Sequence, residues 1–345
     1  MKMNELKAEW SKYLLHFKEP SGTSRGILTD KETYFIRVWD ERYPEVVGIG
    51  ECALFRGLSA EDVPEYEAEL EKVCQNIARV QPADVQHWSS IRFGMEMALA
   101  DLQNGGRKIY FPSDFTAGKK SIEINGLIWM GNRMTMLRRI EQKLEAGFSC
   151  IKLKIGAIDF EAELSLLQYI RQRFSVREVE LRVDANGAFT PAEARRKLEA
   201  LAVFDLHSIE QPIRQGQWEE MARLCEVTPI PVALDEELIG INDLSRKQEL
   251  LKKVRPQYII LKPALCGGFS GATEWIRLAG EFRIGWWVTS ALESNIGLNA
   301  LAQWVATLGT TLPQGLGTGQ LFTNNIAVPL RQVGGKLCYE PSEEK

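Results

Sequence analysis

The pattern of apolar and polar positions repeats along most of the chain. From residue 121 onward, a short apolar run is followed by a polar turn and then by a segment with the apolar spacing of an amphipathic helix. Successive runs begin about 25 to 30 residues apart, the length of a strand and a crossover helix. The repeat predicts an α/β domain in which eight parallel strands alternate with helices, a (β/α)8 barrel of the TIM type. A doubly wound open sheet gives the same alternation, but rarely with eight evenly spaced units.

The predicted strands and helices can be placed by residue. The apolar runs lie near residues 123, 152, 181, 207, 232, 259, 287 and 316. Helical spacing is found at 161–174, 190–204, 218–227, 244–254, 271–282 and 298–309. The barrel is therefore predicted to occupy residues 121–321.

Residues 1–120 have a different pattern and predict a separate α+β module. Three alternating apolar runs, at 6–17, 33–40 and 46–54, indicate an antiparallel meander, with a Gly- and Ser-rich loop at 19–30 between the first two. Helical patterns follow at 60–80 and 87–105, the second ended by Asn104-Gly105-Gly106. The tail, 322–345, has no helical pattern and is predicted to form strands that complete this capping module.

Composition excludes several classes of protein. Apolar and charged residues make up 45% and 26% of the chain, and the formal net charge is -4, so neither a nucleic acid nor an anionic membrane is expected as a partner. No apolar run approaches the roughly 20 residues that cross a bilayer. The first residues lack the pattern of a secretory signal, and a cytoplasmic protein is expected. The six cysteines are scattered without a metal-binding spacing and predict free thiols.

Three acidic residues each follow a short apolar run: Asp184, Glu210 and Asp235. In a barrel, side chains at the carboxyl ends of successive strands converge on one mouth. Carboxylate oxygens without histidine or thiolate favour Mg²⁺ or Mn²⁺. Each acid alone could be a helix cap or a surface ion pair, but this explanation is weaker for three successive strands. Glu236 and Glu237 follow Asp235 directly, and the position next to the strand favours Asp235.

Lysines end the strands on both sides of these acids. Lys152 and Lys154 are two residues apart and therefore share one face of a strand, whereas Lys262 ends a strand farther along the ring. Ammonium groups on both sides of a metal indicate a substrate held between them. Abstraction of a proton next to a carboxylate creates a dianionic enediolate, which needs such fixed positive charge. The pattern therefore predicts an enzyme acting on a small carboxylic acid.

At these positions the sequence resembles the enolase superfamily, and within it the o-succinylbenzoate synthase family. The similar segments are KLK at 152–154, VDANGAF at 183–189, IEQP at 209–212, ALDEEL at 233–238, ILKPALCGG at 260–268, SALESNIGLNALAQW at 290–304 and, in the capping module, GIGECALFRGLS at 48–59. GLGTGQLFTNN at 315–325 is more similar to the synthases than to related epimerases. The resemblance implies a modified (β/α)7β barrel with an N-terminal capping domain.

The resemblance also implies a reaction and roles for the strand-end residues. Members of this family are lyases that dehydrate 2-succinyl-6-hydroxy-2,4-cyclohexadiene-1-carboxylate to o-succinylbenzoate in menaquinone biosynthesis. The implied Mg²⁺ ligands are Asp184, Glu210 and Asp235. Lys154 is implied as the base that removes the α-proton and then as the acid in a syn elimination. Lys262 would stabilise the enediolate from the other face, and Lys152 would lie beside the substrate carboxylate.

Substrate contacts are expected from the loops at the barrel mouth. The family's capping loops correspond to 23–26 and 55–58. The candidate contacts are Arg25, Asn125, Ser290, Glu293, Ser294 and Gly317. Arg25 could bind the succinyl carboxylate or be solvated. The helix start at 290–295 could receive a carboxylate on its backbone N–H groups or could be a simple N-cap.

Two other functions stay open at this point. An N-acylamino acid racemase or a dipeptide epimerase of the same superfamily would use the same lysines and acids. Such an epimerase is expected to carry Asp-x-Asp near the eighth strand, where this chain has Gly317-Thr318-Gly319. A non-catalytic barrel that serves as a binding protein would leave the three acids and three lysines without a purpose. Oligomeric state is not predicted.

Overall fold

A computed structural model of the chain describes residues 5–23 and 26–341. The first module begins with an antiparallel sheet of β1 (Leu6–Thr23), β2 (Gly26–Asp40) and β3 (Tyr43–Cys52), in that order, as the alternating pattern predicts. The loop predicted at 19–30 is wrong, because Ser21 pairs with Leu28 and the two strands run on to Thr23 and Gly26. Gly22 allows this extension: a Cβ atom there would lie 3.1 Å from the carbonyl oxygen of Met130, on which the hairpin packs.

Two helices cover one face of this sheet, α1 (Tyr66–Gln75) and α2 (Ser89–Gln103). α1 is shorter than the helical pattern at 60–80, and turns occupy the rest of that segment. α2 approaches β3 closely, since a Cβ atom on Gly50 would lie 1.9 Å from the carbonyl oxygen of Gly94. The glycines of the GIGE segment, residues 48–51, therefore let β3, which carries Glu51, pack closely against α2.

The strands of the second module follow one another around a parallel sheet. Their bounds are β4 (Ile122–Glu123), β5 (Gly126–Ile128), β6 (Cys150–Lys154), β7 (Glu180–Asp184), β8 (Ser208–Glu210), β9 (Val232–Leu234), β10 (Tyr258–Leu261) and β11 (Gly285–Val288). Strands β5 to β11 are parallel neighbours in chain order. The first predicted run is split into β4 and β5, and only β5 joins this sheet.

Residues 314–315 close the ring between its two ends. The N–H of Gly315 donates to the carbonyl of Val288, 2.8 Å away, and the N–H of Gln314 donates to the carbonyl of Glu123, also 2.8 Å away. The pairing is parallel on both sides. The eighth predicted strand is therefore present as this short segment, and the architecture is the modified barrel that the sequence predicts.

Helices follow the barrel strands. They are α3 (Arg133–Glu145), α4 (Phe160–Arg171), α5 (Pro191–Ala202), α6 (Trp218–Val227), α7 (Leu244–Val254), α8 (Gly268–Phe282) and α9 (Asn295–Thr307). α6 and α7 have the predicted bounds, whereas α3 is not among the helical segments predicted from the sequence. Only Met136 and Ile140 of α3 are buried, so its apolar pattern is thin.

The tail forms the hairpin of β12 (Leu330–Val333) and β13 (Lys336–Tyr339). β13 pairs with β4 and not with the sheet of the first module, so the predicted partner of these strands is wrong. The preceding residues make the expected contact instead: the N–H of Thr323 donates to the carbonyl of His16, 2.9 Å away, and Phe322 bridges Phe17. The boundaries at 120 and 321 stay a prediction.

Two glutamates of the first module join it to the barrel. Glu51 accepts hydrogen bonds at the start of α9 from the N–H groups of Ser294 and Gly297, both 2.9 Å away. Glu96 of α2 accepts at the start of α8 from the N–H of Phe269, 2.6 Å away. Carboxylates at helix N-termini satisfy N–H groups that have no partner inside the helix and favour the helix dipole. These contacts fix the first module over the mouth of the barrel.

Candidate active site

The predicted acids and lysines meet at the carboxyl ends of the strands. Lys154 of β6 stands in register with Asp184 of β7, and Asp184 with Glu210 of β8. Lys152 and Lys154 are 5% and 9% exposed, so both side chains of β6 are buried in the ring. The strand registers therefore turn residues that are distant in sequence into neighbours at one mouth of the barrel.

Each of the three predicted acids accepts a hydrogen bond from a lysine. Nζ of Lys152 lies 3.1 Å from Oδ2 of Asp184 and also donates to Glu210. Nζ of Lys154 lies 3.0 Å from the same oxygen of Asp184. Lys262 donates to Oδ2 of Asp235. These ion pairs lie at the ends of five neighbouring strands, β6 to β10, and a side-chain hydrogen bond between Glu210 and Asp235 connects the pair of Lys262 with the others in one network.

Burial and mutual repulsion set the pKa values of the acids. Burial raises the pKa of the Glu210 carboxyl well above its ordinary value, and the charge of Asp184 raises it further. Burial acts in the same direction on Asp184, but Lys152, Lys154 and Lys262 together outweigh it and hold the pKa of Asp184 below the usual range. Burial also raises the pKa of Asp235, but Lys262, the hydrogen bond with Glu210 and the charge of Lys152 together outweigh it and lower the pKa. The lysines therefore outweigh burial at Asp184 and Asp235 but not at Glu210.

The donor set fits a hard divalent cation. Glu236 adds a fourth buried carboxylate beside Asp235, against three lysines, and Oε1 of Glu210 has no hydrogen-bond partner within the described residues. Oxygen ligands of this kind suit Mg²⁺ or Mn²⁺. In the described part of the chain, however, no three acidic, histidine or cysteine side chains stand ready as a ligand cluster. The lysine ammonium groups hold these carboxylates instead.

Asn186 belongs to the site but was not singled out from the sequence. Its Oδ1 accepts from Nζ of Lys154 at 2.6 Å, and its Nδ2 donates to Oε1 of Glu236 at 3.0 Å. The backbone has φ 44°, a left-handed conformation that asparagine adopts more readily than most residues, and its N–H donates to Asp184. The sequence signal was the asparagine-glycine pair after Asp184, which predicts such a turn.

A cavity of about 740 Å³, part of it open to solvent, lies directly above the network. Its polar lining includes the three lysines, Asp184, Asn186, Thr289 and Thr318. Apolar side chains form the rest of the wall: Phe55, Leu58, Leu127, Trp129, Leu265, Ala291 and Leu292. The ring of Trp129 lies 5.8 Å from Nζ of Lys154. An apolar ring that carries a carboxylate would match this combination of surfaces.

The candidate substrate contacts divide into two groups. Asn125, Ser290 and Gly317 line the cavity, and Oδ1 of Asn125 has no hydrogen-bond partner among residues 5–23 and 26–341. The capping loop at 55–58 also contributes, through Phe55 and Leu58. Arg25 lies outside the described residues. The other capping loop, at 23–26, is described only in part.

Glu293 and Ser294 do not face a substrate at the start of α9. Ser290 donates to Oε2 of Glu293 at 2.6 Å, and neither Glu293 nor Ser294 is among the residues that line the cavity. Ser294 is the N-cap residue, and its hydroxyl donates to Glu51 at 2.6 Å. The idea that these N–H groups receive a substrate carboxylate is wrong, because Glu51 of the protein itself occupies them.

Within the described residues, no helix is long and apolar enough to cross a membrane.

Comparison with known proteins shows which family the chain belongs to. Residues 135–337 match the family model described as enolase C-terminal domain-like. A protein of Desulfotalea psychrophila named o-succinylbenzoate synthase is 47% identical over 369 aligned positions, which cover 97% of this chain and 99% of that protein. The crystal structure of MenC from the same organism has a TM-score of 0.85 at 43% identity and covers 97% of this chain and 100% of that chain. The L-Ala-D/L-Glu epimerase of Bacillus subtilis, with a TM-score of 0.83 at 20% identity and coverage of 97% and 96%, shares the fold.

Proposed function

The chain belongs to the o-succinylbenzoate synthase family of the enolase superfamily, and we propose that it dehydrates 2-succinyl-6-hydroxy-2,4-cyclohexadiene-1-carboxylate to o-succinylbenzoate. This assignment makes it a lyase, and the family implies a place in menaquinone biosynthesis. The observation that carries the proposal is the cavity in which Lys154 and Lys262 stand on different strands, with the buried acids below them.

Lys154 is proposed as the base. As a neutral amine, its Nζ takes the proton from the carbon next to the ring carboxylate, and the electron pair of that C–H bond enters the carboxylate as an enediolate. The same ammonium then gives a proton to the departing hydroxyl group, so that water leaves and the ring becomes aromatic. Asn186 supports this role because its Oδ1 accepts from Nζ at 2.6 Å and fixes the position of the amine.

The remaining lysines are proposed to stabilise negative charge. Lys262 approaches from another strand of the ring, where a fixed ammonium favours the enediolate over the substrate. Lys152, buried between Asp184 and Glu210, lies below the place where the ring carboxylate would bind. The apolar wall that includes Trp129 excludes water and strengthens these interactions.

Members of this superfamily generally use Mg²⁺. Asp184, Glu210 and Asp235 would hold the ion in this chain, and Mn²⁺ suits the same oxygen ligands. Bound there, the ion would supply a Lewis acid at the carboxylate of the substrate. Support for these ligands comes from the burial of the three acids and from their position at the ends of three adjacent strands.

The test of the proposal is direct. Purified protein with Mg²⁺ should consume the cyclohexadiene, seen as loss of its ultraviolet absorbance, and form o-succinylbenzoate, seen by chromatography. A chelator should stop the reaction and added Mg²⁺ should restore it. Absence of turnover in a folded, Mg²⁺-loaded sample would reject the proposal.

A racemase or epimerase is the second candidate, because Lys154 and Lys262 both reach the cavity and could exchange a proton on either face of an enediolate. Gly317 and Thr318 line the cavity where the epimerases are expected to hold an ammonium with acids, which weighs against a dipeptide substrate. Incubation with N-succinylamino acids and dipeptides in D₂O separates the two functions. Deuterium incorporation at the α-carbon, without turnover of the cyclohexadiene, would favour the racemase.

A further inference from the structure

The proposed substrate has two carboxylates, and the cavity has an evident partner for only one of them. The ring carboxylate belongs with the lysine and acid network. Each lysine that lines the cavity is already paired with an acid of this network. The succinyl carboxylate therefore needs another cation, since a carboxylate removed from water without a partner is strongly unfavourable.

Lys31 is a buried cation beside this cavity whose charge is not paired by contact. It lies on β2, is 6% exposed, and within the described residues its Nζ has no hydrogen-bond partner. Nζ lies 6.0 Å from the ring centre of Phe55, which lines the cavity. Its cross-strand neighbour, Leu15, packs in one apolar cluster with Leu292, another cavity residue. Lys31 thus stands behind the wall that the first module contributes to the cavity.

Two glutamates near Lys31 leave its ammonium available. Burial lowers the pKa of the Lys31 ammonium, and the charges of Glu51 and Glu293 oppose that shift, but neither glutamate forms an ion pair with it among the residues the structure describes. Glu51 already accepts from Thr33, Ser294 and Gly297. Glu293 accepts from Ser290 through one oxygen only. A buried ammonium without a direct partner is costly to maintain, and such groups concentrate at functional sites.

We propose that Lys31 binds the second, remote carboxylate of a dicarboxylic substrate, which reaches it past the ring of Phe55. The inference rests on the proposed function and adds a specificity residue to it. The half-buried Phe55 ring lines the cavity and packs against the apolar cluster that contains Leu15 and Leu292, and it is the cavity residue beside which Nζ of Lys31 lies. The first module would then determine which substrates bind, by the length and charge of their side arm, while the barrel provides the catalytic residues.

The experiment compares two ligands that differ only at the remote end. o-Succinylbenzoate carries the second carboxylate, whereas 2-butanoylbenzoate has a methyl group in its place. Dissociation constants are measured by calorimetry in Mg²⁺ for the wild type, Lys31→Met and Lys18→Met, an exposed lysine of the same hairpin. Lys31→Met should weaken o-succinylbenzoate by about 10- to 100-fold, as for loss of a charged hydrogen bond, and leave 2-butanoylbenzoate nearly unchanged. Lys18→Met should change neither constant.

Other outcomes overturn the inference. Equal weakening of both ligands would mean that Lys31 only supports the wall, and no weakening would mean that it does not reach the substrate. Loss of the preference in Arg25→Gln, with the preference kept in Lys31→Met, would assign the role to Arg25. If Lys31→Met does not fold, Lys31→Gln is measured with the same criteria. Failure of the proposed function is recognised separately, because it appears as absent turnover of the cyclohexadiene by the wild type.

Discussion

Lys152 and Lys154 stand two residues apart on β6, yet their environments differ. Lys152 contacts two buried carboxylates, Asp184 and Glu210, whereas Lys154 shares Asp184 with Lys152 and otherwise contacts the amide of Asn186. Removal of Lys152 therefore leaves an acid without its ammonium partner, and removal of Lys154 does not. The neighbouring lysines are thus expected to differ in what they do for stability and for turnover.

Lys154→Met should lower kcat by about 10²- to 10⁴-fold, the usual loss when a general base is removed, with little change in the melting temperature. In chelator, Lys152→Met should lower the free energy of unfolding by about 3–5 kcal/mol, because it breaks a buried ion pair and leaves a charge unpaired. Urea unfolding and steady-state kinetics on both variants check the contrast. A Lys154→Met protein as unstable as Lys152→Met would show that Lys154 is structural.

Asn186 offers a second test at this scale, since its side chain and its left-handed backbone can be separated. Asn186→Gly and Asn186→Ala both remove the acceptor of Lys154, and each should lower kcat by about 10-fold or more, as for misplacement of a catalytic group, with a smaller change in KM. Only Asn186→Ala adds backbone strain, of about 1–2 kcal/mol. Kinetics and urea unfolding should therefore agree between the variants in kcat and differ in stability. Full activity of Asn186→Gly would contradict a positioning role.

The acids and lysines could be identified from the sequence because they lie at the ends of apolar runs. In a barrel, a charged side chain at that position is expected at the mouth formed by the carboxyl ends of the strands. Asn186 and Lys31 could not be found in the same way. Asn186 lies in a turn beyond its strand, where side-chain direction follows from φ. Lys31 lies beside a segment that predicts a loop, whereas in the structure it is buried and pairs with Leu15 in a longer hairpin.

The bounds of a secondary-structure element could be predicted where the residues of that element alone determine them. α6 and α7 have clear apolar stripes and the predicted bounds. The division of the first run into β4 and β5 depends on the tail, because β13 takes β4 as its partner from more than two hundred residues away. No local pattern encodes such a partner, and the same holds for the extension of the β1 and β2 hairpin onto Met130.

His207, just before β8, makes the stability of the barrel depend on pH. The centre of its half-buried ring lies 4.8 Å from the ring centre of Tyr258 and 5.9 Å from that of Trp287. Burial lowers the pKa of its imidazole, although Glu180 opposes the shift. The unfolded chain therefore binds this proton more readily, so the contribution to stability is full above the unfolded pKa near 6.5 and is lost as pH falls towards the folded pKa.

Between about pH 7 and pH 5, protonation of His207 favours the unfolded state, so the free energy of unfolding falls as the pH falls. His207→Gln should make this fall less steep. Urea unfolding at several pH values measures the slope, and His87→Gln, an exposed histidine, serves as the control. A slope unchanged in His207→Gln would show that other groups cause the acid sensitivity.

At the scale of the whole molecule, the catalytic network belongs to the barrel, while part of the cavity wall belongs to the first module. Phe55 and Leu58 line the cavity from that module. The two parts are joined by the buried carboxylate of Glu51, which caps α9, and by the half-buried carboxylate of Glu96, which caps α8. The sequence did not reveal this means of attachment. Both glutamates lie far in sequence from the helix starts that they cap.

These two caps predict how the molecule unfolds. Because each cap combines charged hydrogen bonds with burial, their loss should weaken the attachment by about 2–5 kcal/mol in total. The wild type is expected to unfold in one calorimetric transition whose van't Hoff and calorimetric enthalpies agree. In the double variant Glu51→Ala, Glu96→Ala the modules should melt separately, and KM for the cyclohexadiene should rise more than kcat falls. The matched control removes two exposed glutamates, Glu45 and Glu226, and should keep a single transition. A double variant that still melts in one step would mean that the apolar contacts between the modules, and not the caps, hold the lid of the cavity in place.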